Sequence, residues 1–369
     1  MPKNILIINP FGIGDVLFST PLIKNLRFYY PDAFIAVAVQ KKIAAVLENN
    51  SNIDKIIPFS RGDFKELSRQ SRFKAIGVLL RALGEIRRHK FDLFIDLSLE
   101  HRYSLALKFL GVKQRVGYNY KNRGRFLTHK INIEGYKDKH VVEYHLQLLE
   151  LLGLKPRFFN LELFLKREEK DWAEAFLNKS GISKDNLIIG IIPGGGASWG
   201  RQSYLKHWPG EKYAQVADRL AERLDAKIII FAGSLDKAIA ESVIQRMHQP
   251  AINMIARINL RQFIALINQC SLVIANDSGP LHIAVALGIK SVSLFGPVNE
   301  QVYGPYPPSP DYVVIRKDLN CRPCYRKFRV PECNYNLRCL REVTAQEVLR
   351  ETERLLGSKA VSEKFQEFK

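Results

Sequence analysis

Short apolar runs without polar alternation recur along this chain, and each is followed by a turn and then by a helical pattern. The clearest of these runs are residues 5–8, 34–39, 187–192 and 272–275. Strands that are apolar on both faces are typical of parallel sheets covered by helices on both sides. The pattern occurs twice, with a break near residues 153–185. We therefore predict an α/β fold of two doubly wound, Rossmann-like domains facing across a cleft.

The predicted domains are residues 1–160 and 161–345, followed by a C-terminal helix and tail at residues 346–369. A chain of 369 residues is long enough for two domains of ordinary size. Residues 64–90 are predicted to form a long basic helix, and residues 154–165 a linker with an edge strand. Ligands of such sheets bind at the carboxyl ends of the strands, so the turns at that edge are the candidate site.

The net charge of +19, with a sequence pI near 9.7, predicts a polyanionic partner. Nucleic acid, anionic lipid and a phosphorylated substrate all fit that charge. No apolar run approaches the roughly 20 residues that span a bilayer. The N-terminus, with a single lysine and an early Asn9-Pro10, is a poor signal peptide. We therefore predict a cytoplasmic protein.

The first strand is followed by Gly12-Ile13-Gly14-Asp15, a tight turn that places a carboxylate near the start of a helix. Asp15 is a candidate general base, since a carboxylate at a sheet edge can take a proton from an attacking hydroxyl. The alternative is that Asp15 caps the helix. Asp96 and His101 flank another strand end, where the same alternatives apply.

In the second half, Pro193-Gly194-Gly195-Gly196 directly follows a strand. Glycines there allow a diphosphate to approach the backbone without Cβ clashes, whereas the alternative is a flexible loop. The turn is neither a Walker A motif nor the spaced glycine fingerprint of NAD enzymes. Lys206 follows shortly after and could neutralise a leaving diphosphate, or be one of many surface lysines.

Residues 272–288 combine an apolar strand, the turn Asn276-Asp277-Ser278-Gly279 and an alanine-rich helix. Unpaired backbone N–H groups and the helix dipole favour an anion at such a helix N-terminus. Asp277 could cap the helix or hold sugar hydroxyls. His282 lies one turn inside, where a histidine buried in the core is the alternative to a functional one.

Four of the five cysteines, Cys321, Cys324, Cys333 and Cys339, crowd into one segment. Their spacing allows tetrahedral binding of a structural zinc ion, although the second pair departs from the zinc-ribbon pattern. The alternative is a group of reduced, packed thiols, because a reducing cytoplasm disfavours disulfides.

Taken together, these motifs resemble glycosyltransferase family 9, the lipopolysaccharide heptosyltransferases. The similarity lies in residues 12–17 with Thr20-Pro21, in Pro193-Gly194 with residues 206–209, and in residues 276–282 continued through 294–297. The cysteine group ending in Cys339-Leu340 also recurs in part of that family. Three ordered motifs over nearly the whole chain are more specific than any one of them.

The resemblance implies a GT-B architecture and inverting transfer of L-glycero-D-manno-heptose from ADP-heptose to the lipopolysaccharide inner core, without a catalytic metal or other required cofactor. It implies Asp15 as the general base, Lys206 at the donor phosphates and Asp277 at sugar hydroxyls. The backbone amides of Ser278 and Gly279 would meet the diphosphate. The remaining candidate donor contacts are Gly194, Gly195, Asp236 and His282, and the candidate acceptor contacts are Gly14, Arg123 and Arg125.

Two departures from the family pattern concern the donor. Asp236 stands near the place where family members often carry an acidic residue that grips the nucleotide ribose, so it either substitutes for that residue or the contact is lost. The signature Asn276-Asp277-Ser278 replaces the Asp-Thr-Gly of some members. These differences affect the prediction of the exact sugar more than the prediction of the reaction class.

Basic residues are dense in the first half: Arg81, Arg87, Arg88, Lys90, Arg115, Lys121, Arg123 and Arg125. We expect this basic face to meet an anionic acceptor and to associate reversibly with the inner membrane. The first alternative is a family member that uses another nucleotide sugar and another glycan. The others are a basic nucleic-acid-binding protein, whose aromatic and basic interleaving is weak here, and an inactive α/β scaffold.

Overall fold

A computed structural model describes residues 1–60, 84 and 86–357 of the protein. It divides into two compact units, Met1–Phe164 and Leu165–Lys369. The helix predicted at residues 64–90 lies largely outside the described residues, as do Arg81 and the tail from residue 358 onwards. None of the described helices is long and apolar enough to cross a membrane.

The first unit is built on a parallel sheet whose six described strands lie in the order β3-β2-β1-β4-β5-β6. The strands are β1 Asn4–Asn9, β2 Phe34–Gln40, β3 Lys55–Phe59, β4 Leu93–Asp96, β5 Gln114–Tyr120 and β6 His129–Ile133. The helices are α1 Ile13–Phe18, α2 Thr20–Tyr29, α3 His101–Phe109 and α4 Val141–Glu150, with a 3₁₀ helix at Lys41–Leu47. The central strands are buried because helices cover the sheet.

The segment at residues 154–165 is irregular, so the edge strand predicted there is wrong. Its chain is held on α2 instead of pairing with the sheet: the Asn25 side chain donates to the carbonyl of Phe158 at 2.8 Å and accepts from the N–H of Arg157 at 2.7 Å. Lys24 forms an ion pair with Glu162 at 2.6 Å. The edge position of the sheet is taken by β6, which the sequence did not predict.

The second unit repeats the plan, with six described strands in the order β12-β11-β10-β7-β8-β9. The strands are β7 Ile188–Ile192, β8 Lys227–Ala232, β9 Ala251–Ile255, β10 Leu272–Asn276, β11 Lys290–Leu294 and β12 Tyr312–Ile315. The helices are α5 Arg167–Lys179, α6 Gly210–Leu224, α7 Lys237–Ile244, α8 Leu260–Ile267, α9 Gly279–Ala286, α10 Glu300–Tyr303, α11 Arg338–Arg341 and α12 Ala345–Leu356. Two 3₁₀ helices lie at Ala197–Lys206 and Ser234–Asp236.

The last described helix, α12, belongs to the core of the second unit, whereas residues 346–369 were predicted as a C-terminal helix and tail following that domain. Val348 and Leu355 are buried in the same apolar cluster as Trp208 and the central strands. Thr344 caps the helix by accepting the N–H of Glu347 at 3.2 Å, which fixes where α12 begins. The apolar stripe of α12 therefore completes one face of the second sheet.

In both sheets the first strand of the unit lies in the middle, and the order of connection reverses beside it. The reversal falls between β1 and β4 in the first unit and between β7 and β10 in the second. Crevices outside the carboxyl ends of strands at such switch points are where open α/β sheets bind ligands. The prediction of two doubly wound parallel α/β domains is confirmed. The strand order locates the candidate ligand crevices at the carboxyl ends of β1 and β4 and of β7 and β10.

Candidate active site

The glycine turn after β7 is closely packed against its surroundings, which explains the run of glycines. A Cβ on Gly194 would lie 2.4 Å from the carboxyl group of Asp236, and one on Gly195 would lie 2.4 Å from the carbonyl oxygen of Ser203. Gly196 has a φ of +76°, in the left-handed region that glycine adopts without strain. Packing within the protein therefore requires glycine at positions 194 and 195, and the close approach of a diphosphate to this turn stays a prediction.

Asp236 is buried, and its carboxylate holds the glycine turn. Its Oδ2 accepts the N–H of Gly196 at 3.2 Å, and its Oδ1 lies 3.4 Å from Nε2 of His207. The ribose contact considered for Asp236 stays a prediction, since this carboxylate is engaged with protein groups. His207 was not singled out from the sequence, although it stands in the motif residues 206–209 that carried the family resemblance.

Lys206 is buried at the same strand ends, so the alternative of an ordinary surface lysine is wrong. Its Nζ lies 2.7 Å from Oδ2 of Asp277, and the two side chains are 8% and 7% exposed. The two groups are not aligned as a directed hydrogen bond, so the contact is an ion pair. It also lies 4.3 Å from the ring centroid of Trp199.

The helix α9 begins at Gly279 with Pro280 in its first turn, and in the described structure no side chain caps it. The Asp277 carboxylate pairs with Lys206 instead, and the hydroxyl of Ser278 donates back to the carbonyl of Asn276 at 3.2 Å. An uncapped helix N-terminus with a lysine nearby favours a bound anion.

Asn276, the last residue of β10, joins the two strand ends of the switch point and was missed as a site residue. Its side-chain amide donates to the carbonyl of Pro193 at 2.7 Å and accepts from the hydroxyl of Tyr213 at 3.0 Å. Because all of these groups are buried, the glycine turn and the start of α9 are held at a fixed spacing.

His282 lies one turn inside α9 and is buried. Burial, with the positive charge of Lys206 as the second cause, lowers the pKa of His282 from 6.5 to about 3. The imidazole is therefore neutral at physiological pH, which favours the core-histidine alternative. A direct donor contact for His282 stays a prediction.

In the first unit, Asp15 lies in the first turn of α1, just past the end of β1, and is half-buried. Its Oδ2 accepts the N–H of Gly12 at 3.1 Å, and its backbone carbonyl accepts from the side-chain amide of Asn9 at 2.8 Å. The capping alternative is thus realised. It does not exclude a role as base, because the same contact orients the carboxylate. Gly14 lies beside it in the same turn.

Asp96 ends β4 at the switch point of the first unit and is buried. Burial raises the pKa of the Asp96 carboxyl to about 7. Hydrogen bonds donated by the N–H and the hydroxyl of Ser98 act in the opposite direction and lower this pKa, but burial is the larger cause. A carboxyl group near half-protonation at neutral pH therefore lies at this sheet edge. His101 begins α3 beyond it.

The basic loop after β5 contains side chains in two different situations. Lys121 and Arg125 are exposed, and the guanidinium of Arg125 lies 4.9 Å from the ring centroid of Phe126. Arg123 forms an ion pair with Glu100 at 3.2 Å. Arg115 is different: its Nε donates to the carbonyl of Phe126 at 2.7 Å, so it fixes the base of the loop instead of presenting its charge.

The cysteine group is free of disulfides in the described structure. Burial raises the pKa of Cys339 to about 11, while Cys333 is exposed. Among residues 1–60, 84 and 86–357 no group of three or more His, Cys, Asp or Glu side chains is placed to hold a metal ion. The zinc alternative stays a prediction without support from this geometry, and metal analysis of the purified protein would test it.

The chain matches a known protein family. The model of glycosyltransferase family 9 (heptosyltransferase) matches residues 79–334 of the chain. The chain is 27% identical over 315 residues to lipooligosaccharide heptosyltransferase 2 of Haemophilus influenzae, covering 82% of this chain and 86% of that protein.

Two solved structures resemble the whole chain. A glycosyl transferase of family 9 from Veillonella parvula has a TM-score of 0.79 and 25% identity, over 96% of this chain and 97% of that one. The ADP-heptose LPS heptosyltransferase II of Escherichia coli has a TM-score of 0.74 and 23% identity, over 96% and 98%. The predicted GT-B fold class is confirmed.

Proposed function

The chain belongs to glycosyltransferase family 9, and on that premise we propose that it transfers a heptose from ADP-heptose to the inner core of a lipopolysaccharide. It is a glycosyltransferase by family. The observation that carries a diphosphate-linked donor is the buried Lys206–Asp277 pair beside a packed glycine turn and an uncapped helix N-terminus. The names of its relatives, heptosyltransferases of lipooligosaccharide and lipopolysaccharide, support the same donor and acceptor.

The donor diphosphate would bind at the switch point between β7 and β10. The backbone amides of Ser278 and Gly279 would meet it at the positive end of α9, and the glycine turn would let it approach the main chain. An ammonium carries three N–H donors, so the contact with Asp277 does not use up the capacity of Lys206. Asp277 would accept a hydrogen bond from a sugar hydroxyl.

The proposed reaction is a single displacement that inverts the anomeric centre. The acceptor oxygen forms a bond to the anomeric carbon while the bond from that carbon to the diphosphate oxygen breaks. Asp15 takes the proton of the acceptor hydroxyl as general base. ADP leaves with the bonding electrons, and Lys206 with the helix amides neutralises the developing charge, so no catalytic metal is required.

Acceptor binding would fall to the first unit, with Gly14, Arg123 and Arg125 as contacts. Exposed Lys121, whose ammonium lies over the ring of Tyr120, and exposed Arg125, over the ring of Phe126, suit phosphates and acidic sugars. This charge supports a peripheral position on the cytoplasmic face of the inner membrane. Flotation with anionic vesicles should decrease in high salt and in K121E/R125E. Undiminished flotation in both would remove this part of the proposal.

The test of the reaction is incubation of the purified protein with ADP-heptose and heptose-free lipopolysaccharide core, beside D15N and D92N. Asparagine can still accept the N–H of Gly12 but cannot act as a base, so D15N should lower kcat by about 10²–10⁴-fold with unchanged ADP affinity. Asp92 is a matched control: its carboxylate also accepts backbone N–H groups, of Lys3 and Asn4, at the other end of the strands. D92N should keep full activity.

The same experiment separates the alternatives. ADP binding without transfer would keep the donor site and direct the search to other sugars and glycans. Absence of ADP binding, with salt-sensitive binding of plain DNA, would favour the nucleic-acid alternative. Equal activity of D15N and the unaltered protein would remove Asp15 from the role of base. The configuration of the product, followed by NMR, tests inversion, and activity after EDTA treatment tests metal independence.

A further inference from the structure

Trp199 covers the ammonium that the proposed function needs at the donor diphosphate. The Nζ of Lys206 lies 4.3 Å from the ring centroid of Trp199 and 2.7 Å from the carboxylate of Asp277. An ammonium is attracted to the face of an indole ring, most strongly where water is excluded. Since Lys206 is buried, the indole and the carboxylate together determine where its charge sits.

Trp199 is itself held by a second aromatic ring. The ring of Tyr325 lies 5.1 Å from that of Trp199 with the planes tilted by 31°, and the ring of Tyr303 lies 5.7 Å from Tyr325 in an edge-on arrangement. Aromatic pairs at these separations are attractive beyond the area that they bury. We call Trp199, Tyr325 and Tyr303 the aromatic brace.

Tyr325 stands in the cysteine segment, and that segment is fixed to the end of β11. The backbone N–H groups of Cys324 and Tyr325 donate to the carbonyl of Pro297 at 2.9 and 3.0 Å. The Arg322 side chain, 5% exposed, donates to the carbonyls of Gly296 at 2.5 Å and Val298 at 3.1 Å. Because β11 pairs with β10, this anchor lies one strand away from Asp277.

We propose that Trp199 and Tyr325 are positioning residues that hold the Lys206 ammonium in place for the donor diphosphate. This inference rests on the proposed role of Lys206 at that diphosphate. It gives the cysteine segment a function that its thiols alone do not suggest: the segment supplies the outer support of the donor site. A lysine side chain has several rotatable bonds, and fixing it before the donor arrives removes part of the entropy cost of binding.

A first test needs no ligand. In the unaltered protein, labelling of Lys206 by an amine-reactive reagent, followed by mass spectrometry, should be slow because the amine is buried and paired. W199L should label several-fold faster, Y325L to a smaller extent, and W199F close to the unaltered rate because a phenyl face remains. W172L is the matched control, since Trp172 stacks on Phe176 within α5. Unchanged labelling in W199L would overturn the inference.

A second test measures affinity by calorimetry with ADP and with adenosine, which has no phosphate. W199L should weaken ADP binding by up to about tenfold, the cost of ordering one flexible side chain on binding, and leave adenosine binding unchanged. W199F and Y325F should restore most of the affinity. In a K206M background W199L should cost nothing further, because the brace acts only through the lysine.

Equal losses of ADP affinity in the presence and absence of Lys206 would show that Trp199 touches the nucleotide or the fold, and would overturn the inference. Far-UV CD melting of each variant checks that it folds, and Y325L is the perturbing variant to use if W199L does not fold. If the unaltered protein bound no ADP while W199L still accelerated labelling of Lys206, the brace would stand and the proposed donor role would fall. The two failures are therefore distinguishable.

Discussion

On a chain with 56 Lys and Arg residues a single lysine is expected at the surface, yet Lys206 is buried with Asp277. Removing one member of a buried pair leaves the other charge without compensation, which typically costs about 3–5 kcal/mol. We expect D277N to lose stability in this range, measured by urea unfolding.

The matched control is the double variant K206M/D277N, in which neither charge remains. It should recover most of the lost stability while ADP binding stays weak, because the cost of D277N is the unpaired ammonium and not the missing carboxylate. If D277N unfolded at the urea concentration of the unaltered protein, the pair would not be excluded from water as the structure has it.

At the scale of elements, the glycine turn after β7 can be tested by adding one methyl group. In G194A the new Cβ would lie 2.4 Å from the Asp236 carboxyl group, so either the turn or Asp236 must move. We expect a loss of about 1–3 kcal/mol in unfolding free energy, as for other overpacked sites, together with weaker ADP binding.

Gly233 is the comparison position, since it directly follows β8, its carbonyl accepts the N–H of Asp236 and a Cβ there meets nothing within 4 Å. G233A should change the unfolding free energy by no more than about 0.5 kcal/mol. Equal ADP affinity in G194A and G233A would mean that the donor does not depend on the shape of this turn.

Most strands could be predicted from the sequence because the central ones are apolar throughout. The missed strands are β6, β9 and β12, which all lie at sheet edges. An edge strand is paired on one side only, so part of it faces solvent and its apolar signal is weaker, as in His129–Ile133. Sequence periodicity alone therefore identifies the middle of a parallel sheet better than its borders.

In the candidate site, glycines and carboxylates after strand ends could be predicted because they stand in local motifs. The contacts of Asn276 with Tyr213 and of Trp199 with Tyr325 could not, since they join residues that are distant in the sequence. The same holds for the burial of Lys206, which depends on its pairing with Asp277. Local motifs predict which residues lie at a strand end, whereas the contacts of each residue depend on tertiary packing.

At the scale of the molecule, the two units can be followed separately. The tryptophans, Trp172, Trp199 and Trp208, all belong to the second unit, so tryptophan fluorescence reports on that unit alone. Far-UV circular dichroism reports on both. Each unit has its own sheet and core, so we expect urea unfolding curves from the two probes not to coincide.

Acidification should separate the units further because their buried titrating groups differ. In the second unit, the pKa of His282 is lowered to about 3, so the unfolded state takes up a proton below the ordinary pKa of 6.5 that the native state does not. Stability is therefore fully present above pH 6.5 and falls with decreasing pH, by about 2 kcal/mol between pH 7 and 5. The pKa of His145 in the first unit is likewise lowered to about 3.

The first unit also contains Asp96, whose pKa is raised to about 7. The Asp96 carboxyl takes up a proton between pH 7 and 5 in the native state and stays ionised in the unfolded state. Acidification therefore favours the native state through Asp96 and offsets the effect of His145.

We expect the urea concentration at the fluorescence midpoint to be lower at pH 5 than at pH 7. The transition of the first unit, followed by circular dichroism, should change less. H282Q should abolish the fluorescence shift, and D96N should make the first unit acid-sensitive. A fluorescence midpoint equal at both pH values would contradict the burial of a neutral His282.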